Sequence, residues 1–139
     1  MKKVIVTKVR KCKGVKVKMN YLEDFGEDVK NSQQCYLFKF FTDDEVMPIF
    51  SKIGTTGKSC NERLRDEIGE YREKGFNILS VDIAKIYQCG DLPAEAFESF
   101  LRAYFIKDYP NTWRKNDRFF GADVDVDKFV KLCKMFSEL

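Results

Sequence analysis

The groups in this chain that can move a proton or grip a phosphate are tyrosines, lysines, carboxylates and arginines, because none of its 139 residues is histidine. That absence removes Ser-His-Asp triads, Cys-His dyads and histidine zinc sites together. Proton transfer falls to Tyr, Lys, Glu or Asp, and a metal must be held by oxygens, which suits Mg²⁺ or a similar hard ion. Spacing ranks some of these groups. With Phe97 set to zero on a helix, Ala94, Leu101, Tyr104 and Phe105 span about −20° to +80°. Glu98 falls at about 100°, on the edge of the apolar stripe, whereas Glu95 falls near 160°, in solvent. Glu98 is therefore the unusual acid, with an ordinary ion pair to Arg102 four residues on as its structural alternative. In an earlier helix Leu64, Ile68 and Tyr71 form the core face, and Arg63 and Arg65 flank it at about −100° and +100°. Periodicity does not choose between those two arginines.

The cations are unevenly spread. Residues 1–20 carry Lys2, Lys3, Lys8, Arg10, Lys11, Lys13, Lys16 and Lys18 with no acid, so a net charge of +3 divides into +8 there and −5 over the remainder. Such a block suits a polyanion such as DNA or RNA, and equally suits a solvated strand face. A second basic stretch, Tyr109–Arg118, interleaves Arg114, Lys115 and Arg118 with aromatics. It is composed either to stack on bases and contact phosphates or to pin the last helix with Trp113 in the core. Lys58 adds a cation in the turn after Gly57. The five cysteines are odd in number and form no CxxC pair, which argues for reduced, buried thiols with no disulfide partner.

The elements that must position these groups are legible in outline. The length fits one domain, and 44% apolar residues with 13 Phe can build a core. No apolar run is long enough for a membrane helix. Thr7, Lys8 and Arg10 interrupt the N-terminal apolar stretch too early for a signal peptide, so a cytoplasmic, intracellular protein is expected. Val4 and Val6, then Val15, Val17 and Met19, alternate with polar residues and predict two strands around a Lys11–Gly14 turn, with the lysines on one face. The acidic stretch 23–28 reads as a boundary, separating a basic hairpin extension (1–30) from the main unit (31–139) within one compact domain. Cys35–Phe41 and Ile49–Gly54 read as strands joined by a loop, hence antiparallel. Ser59 and Glu62 form a capping box for a helix to about Lys74, stopped by Gly75. A third core strand holds Ile78, Leu79, Val81, Ile83, Ile86 and Tyr87; arriving after a helix, it is free to run parallel to one of the first two. Pro93 as first helical residue opens a helix that ends near Asp108. Asn111–Gly121 reads as a loop, and Asp125 caps a last helix to Leu139 that buries Phe129, Leu132, Cys133 and Phe136. The predicted class is α/β (α+β): a small three-stranded sheet flanked by helices, with an added N-terminal hairpin.

Strand, loop and strand ending in Lys52-Ile53-Gly54, then Thr55-Thr56 and a helix with Glu62-Arg63-Leu64-Arg65, resembles the GIY-YIG nuclease superfamily. Gln34-Cys35-Tyr36 stands where Gly-Ile-Tyr would. Lys52 replaces the second tyrosine, as in a branch found in phage and bacterial proteins. Glu98–Phe105 is similar to the family's glutamate helix, and Asp117-Arg118-Phe119-Phe120 to its late aromatic step. The resemblance covers roughly residues 34–121. It implies a metal-dependent DNA endonuclease, of phage or mobile-element type, with a single Mg²⁺ (or Mn²⁺) on Glu98 and Arg63 as phosphate clamp. Tyr36 is then a general base or water-positioning group. Lys52 is a phosphate contact, or a base if burial lowers its pKa. Lys8, Arg10, Lys11, Lys13, Lys16, Lys18, Lys58, Arg114, Lys115 and Arg118 are the candidate DNA contacts. Glu67 occupies a position usually held by Tyr or His, where an acid would neutralise the clamp; Asn111 and Asn116 both answer to the family's late asparagine.

Two other readings use the same residues. One is a nucleic-acid-binding module of this fold without catalysis, marked by Lys52 and Glu67. The other is a protein-interaction or inhibitor domain. Oligomeric state is open at this level.

Overall fold

A computed structural model describes residues 6–21, 33–42, 47–57, 59–89, 92–110, 113–115 and 118–138. The acidic stretch 23–28, Val4, Lys58, Asn111 and Asn116 lie outside the described residues. So do the side chains of 6–10, 19–21, 113–115 and 118, which include Lys8, Arg10, Trp113, Arg114, Lys115 and Arg118.

The basic N-terminal segment forms β1 (Val6–Cys12) and β2 (Val15–Tyr21), paired antiparallel. Lys13 and Gly14 connect them with φ of 50° and 79°. Two positive φ values in a two-residue loop are the primed turn geometry that matches strand twist. The remaining elements are β3 (Gln34–Phe41), β4 (Phe50–Thr56), α1 (Cys60–Glu73), β5 (Ser80–Gln88), α2 (Ala94–Asp108), β6 (Trp113–Lys115), β7 (Arg118–Phe120) and α3 (Val126–Ser137). All seven strands form one sheet in the order β1-β2-β5-β3-β4-β7-β6.

The α/β class is as expected, and β3, β4 and β5 are the three predicted core strands, but the sheet is wider than predicted. The hairpin is not an appendage: β2 runs parallel to β5 and hydrogen-bonds to it, with Val17 beside Val81. The predicted loop 111–121 contains the two short strands β6 and β7, the latter paired with β4. The third core strand, β5, pairs antiparallel with β3. Since β4 also pairs antiparallel with β3, β4 and β5 point the same way with β3 between them, and α1 is the crossover.

β3 is buried along its whole length, which explains its unbroken aromatic and apolar run: both faces are covered. On one face Val15, Val17, Tyr36, Phe38, Phe40, Phe50, Val81 and Ile83 pack against Leu64, Ile68 and Tyr71 of α1. On the other, Cys35, Leu37, Ile53 and Phe119 pack against α2 through Phe97, Leu101 and Phe105, and against α3 through Phe129, Leu132 and Cys133. Tyr104, at the edge of the predicted α2 stripe, is exposed instead. The capping predictions place the helices well. Ser59 Oγ accepts from the Glu62 amide at 3.1 Å. At the other end of α1, Gly75 (φ 94°) donates to the Arg72 carbonyl and Phe76 to that of Tyr71, the paired bonds of a Schellman stop. Asp125 caps α3, whereas Pro93 is the residue before α2 rather than its first. No helix among the described residues is long and apolar enough to cross a membrane.

Candidate functional site

On β4, Phe50, Lys52 and Gly54 alternate onto the α1 face, so a lysine stands where the pattern demands a core residue. In register, Lys52 lies opposite Phe38, and Gly54 opposite Tyr36. A Cβ on Gly54 would sit 2.3 Å from the Tyr36 hydroxyl and 2.5 Å from the ring carbon bearing it. The phenol lies over a position that only glycine leaves open.

These groups converge on Glu67 of α1. Tyr36 Oη and Lys52 Nζ each donate to Glu67 Oε1 at 2.5 Å. Arg63 Nε, one turn earlier on α1, lies 3.2 Å from the same oxygen. Glu67 has no solvent exposure, and its Oε2 has no hydrogen-bond partner among the described residues. Burial pushes the Glu67 carboxyl up, opposed by the charges and hydrogen bonds of Lys52, Tyr36 and Arg63. Burial, then the negative charge of Glu67 and the bond to it, push the Tyr36 phenol far above its ordinary value. Burial works against the charge on Arg63, but its contacts with Tyr36 and Glu67 outweigh that and hold the guanidinium above its ordinary value. With both cations charged and Glu67 ionised, the trio Lys52, Arg63 and Glu67 carries one net positive charge.

Two expectations change. A buried phenol whose proton is engaged by Glu67 keeps that proton at neutral pH, so Tyr36 is a donor and not a general base. Lys52 is 5% exposed and bonded to Glu67, so its ammonium is not presented for direct contact with a phosphate.

Beside the cluster is an open cleft of about 480 Å³. Thr55, Thr56 and Gly57 at the end of β4 form one wall, and Glu62, Arg63, Arg65 and Asp66 of α1 the other. Both candidate arginines reach it, and Arg63 alone is tied to Glu67.

Glu98 does not join this group. It lies on α2, which packs on the opposite face of the sheet, and it pairs with Arg102 at 3.3 Å. Its side chain is one-fifth exposed while Glu95 is exposed, as the helix geometry predicts. The negative charge of Glu98 contributes to raising the Cys35 thiol, after the bond with Cys133 and burial. Cys35 is the register partner of Thr55, so Glu98 and the cleft stand at the same end of the β3–β4 pair, on opposite faces. Glu98 is a hard carboxylate of the type that binds a divalent ion, and it is paired with Arg102. Among the described residues no three acidic or cysteine groups cluster as a metal shell.

The hairpin cations divide. Lys11, Lys13, Lys16 and Lys18 are exposed. Lys11 and Lys16 are directly opposed across the strands, and Lys18 pairs with Val9 on the same parity. In backbone register Lys8 and Arg10 are the partners of Met19 and Val17. Lys18 and Lys39 flank Asp82 from the two neighbouring strands, which offsets part of the basic charge. The Lys13 carbonyl accepts from Arg72 of α1 at 2.8 Å, docking the turn on that helix. Arg118 on β7 is the register partner of Lys52. Lys58, Arg114 and Lys115 have no described side chains.

The sequence pattern noticed Glu67 only as an acid beside Arg63; its full burial went unseen. The available signal was Lys52 at core parity, since a lysine there requires a buried acid.

No family model matches the chain, and neither a curated protein nor a solved structure matches it.

Proposed function

We propose that this chain is an intracellular, metal-dependent DNA endonuclease of GIY-YIG type that hydrolyses phosphodiester bonds at the cleft between the end of β4 and α1. The observation that supports the reading is the convergence of Tyr36, Lys52 and Arg63, drawn from three different elements, on buried Glu67, with Arg63 also lining that cleft. The resemblance points to these three residues together with Glu98, which lies on the opposite face of the sheet. Arg63 grips the phosphate through its terminal nitrogens. Thr55 and Thr56 offer hydroxyls to the same group. Tyr36 holds its proton on Glu67 Oε1 and stiffens the wall. Glu98 would hold the Mg²⁺ or Mn²⁺ ion at the same end of the sheet. When bound, that ion supplies Lewis-acid stabilisation of the charge developing on the phosphate. The exposed lysines of the hairpin draw in the DNA backbone without sequence preference.

The test is nicking of supercoiled plasmid with Mg²⁺ or Mn²⁺ by the wild type, Glu98→Ala and Arg63→Ala. Metal-dependent nicking is expected, reduced about 100-fold or more by either substitution. A folded protein that cuts neither plasmid, single-stranded nor branched DNA defeats the reading.

One observation favours a second reading, a binding module of the same fold without catalysis: Glu67 engages both Lys52 and Arg63, dampening the field a phosphate would feel. That reading expects DNA binding that weakens steeply with salt and no metal-dependent cleavage.

A further inference from the structure

The phosphate-clamp reading leaves Glu67 without a task, yet the site is built around it. Donors from β3, β4 and α1 crowd onto Oε1, while Oε2, wholly buried, accepts nothing from the described residues. A carboxylate placed for stability alone would share donors between its oxygens, because each has about two acceptor sites. The lopsided arrangement has a geometric result. Arg63 Nε is tied at 3.2 Å, while Nη1 lies 3.9 Å from Glu70, an exposed residue. Tying Nε fixes the guanidinium plane and leaves the fork of terminal nitrogens on the cleft wall, the edge that takes a phosphate bidentately. Arg63 itself is about one-third exposed, so without the tie its long side chain would sample many rotamers.

We propose that Glu67 is a positioning residue: it aims the Arg63 guanidinium into the cleft so that the fork receives one phosphate group. This rests on the phosphate-clamp reading and adds what orients the clamp. It separates Glu67 from Glu62 and Asp66, which line the cleft themselves.

The test uses the full chain, inorganic pyrophosphate as probe, and NMR of the arginine Nε–H groups. Glu67→Gln alone strands Lys52 without the charge of Glu67, so it is made together with Lys52→Met, with the wild type as reference and Lys52→Met alone as the control for the lost lysine. In the reference the Arg63 Nε–H signal is expected to be sharp, protected from water exchange and shifted by pyrophosphate. Adding Glu67→Gln is expected to remove the protection and weaken pyrophosphate binding by roughly 5- to 30-fold, the scale of one charge-assisted contact. With Arg63→Ala also present, Glu67→Gln should change affinity by less than about 2-fold, because a residue acting through Arg63 then has nothing to aim. Equal weakening with and without Arg63, no weakening, or no pyrophosphate binding by the reference overturns the proposal. Plasmid nicking by the same variants distinguishes the two readings. Coupling without nicking in the wild type defeats the endonuclease reading alone. Nicking that Glu67→Gln leaves unchanged defeats the role of Glu67 alone.

Discussion

At the scale of single residues, Lys52 and Glu67 show how a buried ion pair differs from a favourable one. Each ion loses its water, and their attraction offsets that loss only when both are present. Glu67→Gln takes the counter-charge of Glu67 from a lysine that is 5% exposed, and should cost about 3–5 kcal/mol. Replacing both, as Lys52→Met with Glu67→Leu, should recover most of that, because apolar groups of similar volume need no desolvation. Urea unfolding at neutral pH measures both, and a double variant weaker than the single would sink the argument. Tyr36 adds a pH dependence. Its folded pKa is raised, by burial first, so its contribution is fully present below the ordinary tyrosine value and fades as pH climbs above it. Above a pH of about 10 the unfolded phenol ionises and the folded one does not. Wild-type stability should therefore fall more steeply there than that of Tyr36→Phe, and parallel slopes would contradict the assignment. The cluster was half legible in sequence: Lys52 at core parity announced a buried partner, but the following helix carries five acids, and only packing singled out Glu67.

Among the elements, α1 was the most legible because its ends are written in local chemistry: Ser59 and Glu62 at the start, Gly75 at the stop. Local signals of this kind survive without tertiary context. β6 and β7 had none, since each spans three residues and takes its backbone partners from the sheet beside it. A strand that short shows no period. The pairing of β2 with β5 was hidden for a related reason: residues 64 apart in sequence, such as Lys16 and Ser80, meet only after α1 has crossed the sheet. The α2 prediction separated Glu98 from Glu95 correctly, yet no helical angle could say which sheet face α2 would cover. The β3–β4 pair carries its own prediction. Gly54→Ala puts a methyl group 2.3 Å from the Tyr36 hydroxyl, on a central strand with buried neighbours. The phenol must leave Glu67, so a loss of about 1–3 kcal/mol is expected from overpacking, together with loss of the protected Arg63 Nε–H signal. Thermal unfolding and the same NMR signal check it; a variant as stable as wild type with that signal intact would show that the phenol is not held over Gly54.

On the scale of the whole molecule, one strand pair serves two masters. Val15 and Val17 are fully buried in the α1-side core, while Lys16 and Lys18 between and beyond them are exposed. The fold needs the valines, and the lysines are left to the surface. Their placement is unfavourable for stability, because Lys11 and Lys16 face each other directly across β1 and β2, and like charges so opposed repel. A basic face that served only solubility would gain by breaking that pair. Lys16→Gln should therefore raise stability by about 0.2–1 kcal/mol. If the face holds DNA, the same substitution should weaken binding evenly across sequences and lower the slope of log affinity against log salt by about 1, the loss of one phosphate contact. Lys18→Gln should do less on both counts, since Asp82 beside it already offsets its charge. Opposite signs for stability and affinity at Lys16 would mean that the repulsion is kept for the sake of a polyanion. Greater stability with unchanged affinity and salt slope would strip the hairpin of a nucleic-acid role and leave it as the two strands that complete the sheet.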